Sequence, residues 1–72
     1  MKALVTGGTG FIGSNLVDIL VENGQSVRFF SRKPELPARF VGKDVALFTG
    51  DLEDPEAVLD AMIGMDVVYH VG

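Results

Sequence analysis

The sequence predicts an α/β fold, the N-terminal part of a doubly wound domain whose parallel sheet has strand order 3-2-1-4. Three observations carry this prediction. Four short runs of apolar, mostly β-branched or aromatic residues alternate with segments of helical period. A glycine cluster joins the first run directly to the first helical segment. The chain has 72 residues, 47% hydrophobic and 22% charged, which is one small domain over residues 1–72 and not a disordered tail.

Each element follows from local pattern. Ala3-Leu4-Val5 is wholly apolar between Lys2 and the glycines, as a strand buried on both faces requires. From Phe11 the period becomes helical: Ile12, Leu16, Ile19, Leu20 and Asn23 recur along one face, and Asn23-Gly24 supplies a left-handed stop. Residues 27–30 and 45–48 are the second and third strands. Pro34, Pro37 and Gly42 between them leave room only for a short or broken helix. Asp54-Pro55-Glu56 combines an N-cap acid, a proline at the first helical position and an acid favoured by the helix dipole. Val58, Leu59, Met62 and Ile63 mark the inward face of this helix, Gly64 ends it, and Met62 and Met65 are expected to fill core space. Residues 67–71 form a last strand of buried character. Arg28 alternates with inward apolar positions and is expected at the surface or rim. Right-handed crossovers then put the two helices on opposite faces. The strand order reverses between the first and fourth strands, so a ligand is expected at residues 7–13 and 70–72, the carboxyl ends of those strands.

Composition excludes several function classes. The chain has no Cys and a single His, His70, which removes disulfides, thiol chemistry, iron–sulfur clusters and Cys/His zinc sites. A chain of this size buries only about 60% of its unfolded surface. With no covalent or metal staple, it is expected to be a piece of something longer or to form a homo-oligomer. The net charge of −4 argues against nucleic-acid binding. Charge is divided, however: residues 1–43 hold all six bases against three acids, and residues 44–72 hold seven acids and no base. An anion site is therefore expected in the first half. No apolar run reaches the ~20 residues of a membrane span or forms a signal-peptide core, so no membrane partner and a cytoplasmic location are expected.

The turn Thr6-Gly7-Gly8-Thr9-Gly10-Phe11-Ile12-Gly13 parses two ways. Gly8, Gly10 and Gly13 satisfy G-x-G-x-x-G, while Gly7, Gly10 and Gly13 satisfy G-x-x-G-x-x-G. Either parse serves a tight strand-to-helix turn, a backbone without Cβ where a pyrophosphate approaches, and a small residue where helix meets sheet. Gly8 to Gly13 followed by Ser14 has P-loop spacing but no Lys to reach the phosphates, which excludes a P-loop.

With Ser14 added, this turn resembles the N-terminal fingerprint of the extended short-chain dehydrogenase/reductases, the NAD(P)-dependent epimerase/dehydratase group with its Rossmann-type sheet. Gly50-Asp51-Leu52 is similar to the family's adenine-contacting acid and its neighbour, and Tyr69-His70-Val71-Gly72 to its fourth-strand end, where Gly72 replaces the usual Ala. The resemblance spans the chain. It implies that Gly7, Gly10 and Gly13 line the pyrophosphate, that Phe11 and Ile12 offer backbone N–H groups, and that Asp51 and Leu52 border the adenine. It further implies hydride transfer on a small-molecule substrate, a sugar nucleotide or a small hydroxy or carbonyl compound. The family's catalytic Tyr-x-x-x-Lys pair has no counterpart, because the only Tyr is Tyr69. No catalytic residue is expected here, and the 72 residues alone are expected to be inactive.

Ser31-Arg32-Lys33 bears on the cofactor. An NAD fingerprint wants an acid at the end of the second strand, about 20 residues beyond the glycines, to accept from the ribose 2′-OH. None occurs before Glu35; a hydroxyl, a guanidinium and an ammonium stand there, which suits a 2′-phosphate. NADP is therefore expected in preference, with NAD possible and Ser31 and Arg32 as its contacts. His70 is expected to be a packed, hydrogen-bonded histidine and not a general base, and Glu53, Asp54, Glu56 and Asp60 to cap and solvate a helix. No metal is expected. Two other readings stay open: a non-catalytic NAD(P)-binding sensor module, and a self-contained fold without ligand.

Overall fold

The computed structural model describes residues 1–7 and 10–71. Its elements are β1 (Lys2–Thr6), α1 (Phe11–Glu22), β2 (Ser26–Ser31), a 3-10 turn (Ala38–Phe40), β3 (Val45–Thr49), α2 (Pro55–Met62) and β4 (Val67–His70). The four strands form one parallel sheet in the order β3-β2-β1-β4, a partial Rossmann-type arrangement.

β1 is bonded on both edges, and Ala3, Leu4 and Val5 are fully buried. Alternation sends Ala3 and Val5 to one face, where they pack with Val17 and Leu20 of α1, Val27 and Phe29 of β2, Phe40 and Val45. Leu4 points to the other face and joins Phe30 and Ala61, with Ala57, Val58, Phe48 and Met65 around them. The 3-10 turn exists to seat one side chain. Phe40 is fully buried and meets Phe29 with ring centroids 5.4 Å apart. Across the sheet, Phe30 stacks on Phe48 at 5.7 Å.

The helix ends follow their predicted signals. α1 stops at Asn23, and Gly24 takes φ +81°. The Asp54 carboxylate accepts from the Glu56 N–H, and Pro55 opens α2. The inward faces differ from those expected. Ile12 and Ile19 are exposed, and α1 turns Gly13, Ser14, Val17 and Leu20 inward. On α2, Leu59 (64% exposed), Ile63 (68%) and Met62 face outward, while Ala61 is buried and Ala57 and Val58 are partly so. On α2 the small Ala57 and Ala61 face the sheet, which lets the helix backbone approach it closely. Met62 is thus not core, whereas Met65 is. β4 is half-exposed, because it is an edge strand with one bonded neighbour. Arg28 is no rim residue: it is half-buried beneath α2 and donates from Nη1 to the carbonyls of Ala61 (2.7 Å) and Ile63 (3.0 Å), closing that helix's C-terminus.

Arg39 and Lys43 both bind the Asp18 carboxylate, tying the β2–β3 connection to α1. The hydrogen bond from Arg39, helped by that from Lys43, holds the Asp18 carboxyl below its ordinary 3.8 against a weaker upward push from burial. A carboxyl depressed in the folded state stabilises the fold above its unfolded pKa, and this contribution disappears as pH falls through the folded value. Asp18→Asn should therefore lower the melting temperature slightly at neutral pH, and the difference between variant and unmodified protein should shrink as pH falls and the Asp18 carboxyl is protonated. Phe40→Ala should cost about 3–5 kcal/mol in denaturant titration, because the cavity lies between the sheet and a turn that has no other anchor of that size.

Candidate functional site

The carboxyl ends of β1, β2 and β3 open into a cleft of about 490 Å³, lined among the described residues by Gly7, Phe30, Ser31, Arg32, Lys33, Asp51, Leu52 and Glu53. Five sequence-derived candidates thus come together: Gly7, Ser31, Arg32, Asp51 and Leu52. Gly10, Phe11, Ile12 and Gly13 form the adjoining start of α1. Gly8, Thr9 and Gly72 lie outside the described residues.

The cleft lies on the β2–β3 side of Gly7. Gly7 has φ +77°, and an added Cβ would lie 1.7 Å from the Val71 carbonyl oxygen, so the segment following β4 lies directly against the start of the turn. Gly10 is the opposite case. Its φ of −77° and ψ of 172° suit any residue, and an added Cβ would meet nothing within 4 Å. Neither conformation nor internal packing asks for glycine there. A glycine facing open space at a helix start suits a ligand that comes close to the backbone.

The two helix N-termini are equipped differently. α2 has its Asp54 cap and an acid, Glu56, in the first turn. α1 begins at Gly10 with no side-chain cap and no first-turn acid, so neither its cap nor its first turn brings negative charge to the positive end of its dipole. Phe11 and Ile12 have exposed side chains, and Gly13 is buried.

Ser31 is 8% exposed. Its Oγ accepts from the Lys33 N–H at 3.1 Å, which folds the segment after β2 back on itself, and its carbonyl accepts from the Gly50 N–H at 2.9 Å. The Ser31 hydroxyl hydrogen has no acceptor among the described residues, so Ser31 brings a donor to the cleft. On the opposite wall, Asp51 Oδ1 accepts from the Glu53 N–H at 2.9 Å, and the Asp51 carbonyl accepts from the Asp54 N–H, which builds the approach to α2. Gly50 is fixed by packing, since a Cβ would come within 3.0–3.2 Å of the Phe30 ring and Ala57. One wall is cationic (Arg32, Lys33) and the other anionic (Asp51, Glu53). Sequence reading missed Phe30 and Glu53 as lining residues, each close in the chain to a residue it did single out, and Lys33 of the Ser31-Arg32-Lys33 segment also lines the cleft.

This sheet order, with its cleft at the strand ends beside an uncapped glycine-started helix, defines a Rossmann-type nucleotide-binding unit. The chain belongs to the NAD dependent epimerase/dehydratase family, which it matches over residues 3–72. It is 50% identical over 74 residues to a 2-alkyl-3-oxoalkanoate reductase of Stenotrophomonas maltophilia, covering all of this chain and 21% of that protein. The fold matches vestitone reductase from alfalfa with a TM-score of 0.84 and 32% identity, over 99% of this chain and 24% of that one. It also matches a short-chain dehydrogenase/reductase superfamily protein of Agrobacterium tumefaciens with bound NAD, with a TM-score of 0.78 and 35% identity, over 100% of this chain and 20% of that one. The chain thus spans about a fifth to a quarter of the length of these relatives. Among the described residues, no helix is long and apolar enough to cross a membrane.

The two glycines separate fold from ligand. Gly7→Ala should lower stability by more than about 2 kcal/mol, since the strained φ adds to a backbone clash that no rotamer relieves. Gly10→Ala should leave the thermal melting temperature within about 2 °C of the unmodified protein, a change below about 0.5 kcal/mol.

Proposed function

We propose that this chain is the N-terminal, dinucleotide-binding part of an NAD(P)-dependent reductase, epimerase or dehydratase, and that it prefers NADP. The observation that carries the reading is the convergence of the uncapped, Gly10-started end of α1 with a strand-end cleft holding Ser31, Arg32 and Asp51. The pyrophosphate lies over Gly7, Gly10 and Gly13 and takes backbone N–H groups from Phe11 and Ile12. The adenosine end occupies the cleft, bordered by Asp51 and Leu52.

Preference for NADP rests on the end of β2. The Ser31 hydroxyl and the Arg32 guanidinium are donors, and the cleft wall at β2 has no carboxylate to accept from a 2′-OH. The relative with bound NAD keeps NAD in play as the second ligand.

The bound nicotinamide supplies or accepts the hydride. This chain's residues bind and orient the dinucleotide, and the acid/base group and substrate wall belong to the remainder of a longer protein. Three features support that division: the short share of each relative's length, the open outer edge of β4, and the exposed Leu59, Met62 and Ile63 on α2. The named activities of the relatives favour a small carbonyl or hydroxy compound as substrate over a sugar nucleotide. The open edge and apolar face also support self-association of the isolated chain, and the absence of any apolar run of membrane length supports a cytoplasmic place.

Calorimetry with both dinucleotides tests the reading. NADP should bind about tenfold or more tightly than NAD, the share expected from one charged hydrogen bond to the 2′-phosphate. Arg32→Asp should remove the preference by weakening NADP while leaving NAD equal or tighter. Equal affinities, unchanged in Arg32→Ala, would return this segment to the solvent.

A further inference from the structure

The cleft holds charge of both signs that the fold does not use. Of the six bases, Arg28 is bound to the end of α2, and Arg39 and Lys43 are bound to Asp18. Arg32 and Lys33 line the cleft with exposed side chains that make no hydrogen bond or ion pair among the described residues. That leaves both available to an anion.

Glu53 stands on the other wall. Its backbone is fixed, because its N–H donates to Asp51 Oδ1 at 2.9 Å, and the residue after it, Asp54, already caps α2. The Glu53 carboxylate does neither job. It is exposed and has no bonded partner among the described residues, whereas Asp51 has one carboxylate oxygen committed to the turn. A free acid sharing a cleft with two free cations lowers the positive potential that they create there.

We propose that Glu53 is a specificity-determining residue: its charge opposes a phosphate at Arg32 and Lys33 and so limits the preference for NADP over NAD. NAD is affected less, because it has no 2′-phosphate to bring to the end of β2. The dinucleotide part of this inference rests on the reading above; the opposition between Glu53 and an anion at the cationic wall does not.

Two titrations test it. Inorganic phosphate, followed by nitrogen-15 NMR at Arg32 Nε and the Lys33 amide, reads the anion site alone, and calorimetry reads NADP and NAD. Glu53→Gln keeps the size and the backbone turn and removes the charge. At low salt it should bind phosphate and NADP each about two- to fivefold more tightly than the unmodified protein, and NAD within about 1.5-fold of it. Glu53→Asp keeps the charge and should behave as the unmodified protein. Raising the ionic strength to about 1 M should erase the difference, since screening then acts within about 3 Å. The melting temperature should stay where it is, because Glu53 holds nothing in the fold. Glu35→Gln and Glu56→Gln serve as controls: each removes an acid that does not line the cleft, and each should give a much smaller gain.

A control that gains as much as Glu53→Gln would reduce the effect to net charge and overturn the proposal. Phosphate that leaves the Arg32 and Lys33 signals unmoved, an affinity for it that Glu53→Gln does not change, or a gain for NAD equal to that for NADP would overturn it as well. If phosphate binding responds as stated while the unmodified protein binds neither dinucleotide, the role of Glu53 at the anion site stands and the dinucleotide reading falls.

Discussion

β1 is hydrogen-bonded on both edges and dry on both faces, so every other element is placed by reference to it. A strand in that position has no polar face to offer. Ala3, Leu4 and Val5 accordingly send side chains alternately into two separate cores, one under α1 and the 3-10 turn and one under α2. Those cores keep the two layers of helix on opposite faces. Full burial of a side chain such as Leu4, Val5 or Phe29 is worth about 1.5–3 kcal/mol, and both cores run through β2 as well, by way of Phe29 and Phe30.

The same centrality makes the end of β1 the meeting point for function. A buried strand must leave the sheet sharply to reach a helix lying on it, and Gly7 performs that turn in the one conformation that also lets the Val71 carbonyl rest against it. β4 closes one side of the turn by this contact, and the other side is left open as the cleft over β2 and β3. Three parallel strands ending together place Gly7, Ser31 and Asp51 around one space, although they are separated by tens of residues in the chain. The free N-terminus of α1 stands beside it.

Polar residues divide into those that finish the fold and those that it leaves available. Arg28, Asp18, Arg39, Lys43 and Asp54 are spent on helix ends and on one loop. Among the described residues, the Ser31 hydroxyl hydrogen has no acceptor, and Gly10 gives α1 no side-chain cap. Family membership agrees with this division: the match runs over residues 3–72, and what the chain shares with its much longer relatives is a nucleotide-binding layer.

Much of this was legible in the sequence because it depends on neighbours along the chain. An apolar run between Lys2 and a glycine cluster has the pattern of a doubly buried strand, Asp54-Pro55-Glu56 that of a helix start, and Asn23-Gly24 stops a helix by local backbone preference. Strand order followed from handedness, while Asp51 and Leu52 were singled out by the family resemblance and Ser31 and Arg32 by their place at the end of the second strand. The tertiary structure decided what depends on distance between surfaces. Helical period grouped Ile12 and Ile19 with Leu16 and Leu20, and Leu59, Met62 and Ile63 with Val58, but the packed helices turn Gly13, Ser14, Val17 and Leu20 of α1 and Ala61 of α2 inward. Arg28 looked solvent-facing until α2 was laid over it, and only the approach of the Val71 carbonyl shows why Gly7 has no room for a side chain. The Thr6–His70 bond joins residues 64 positions apart, and only the register of β1 against β4 brings them within 2.6 Å.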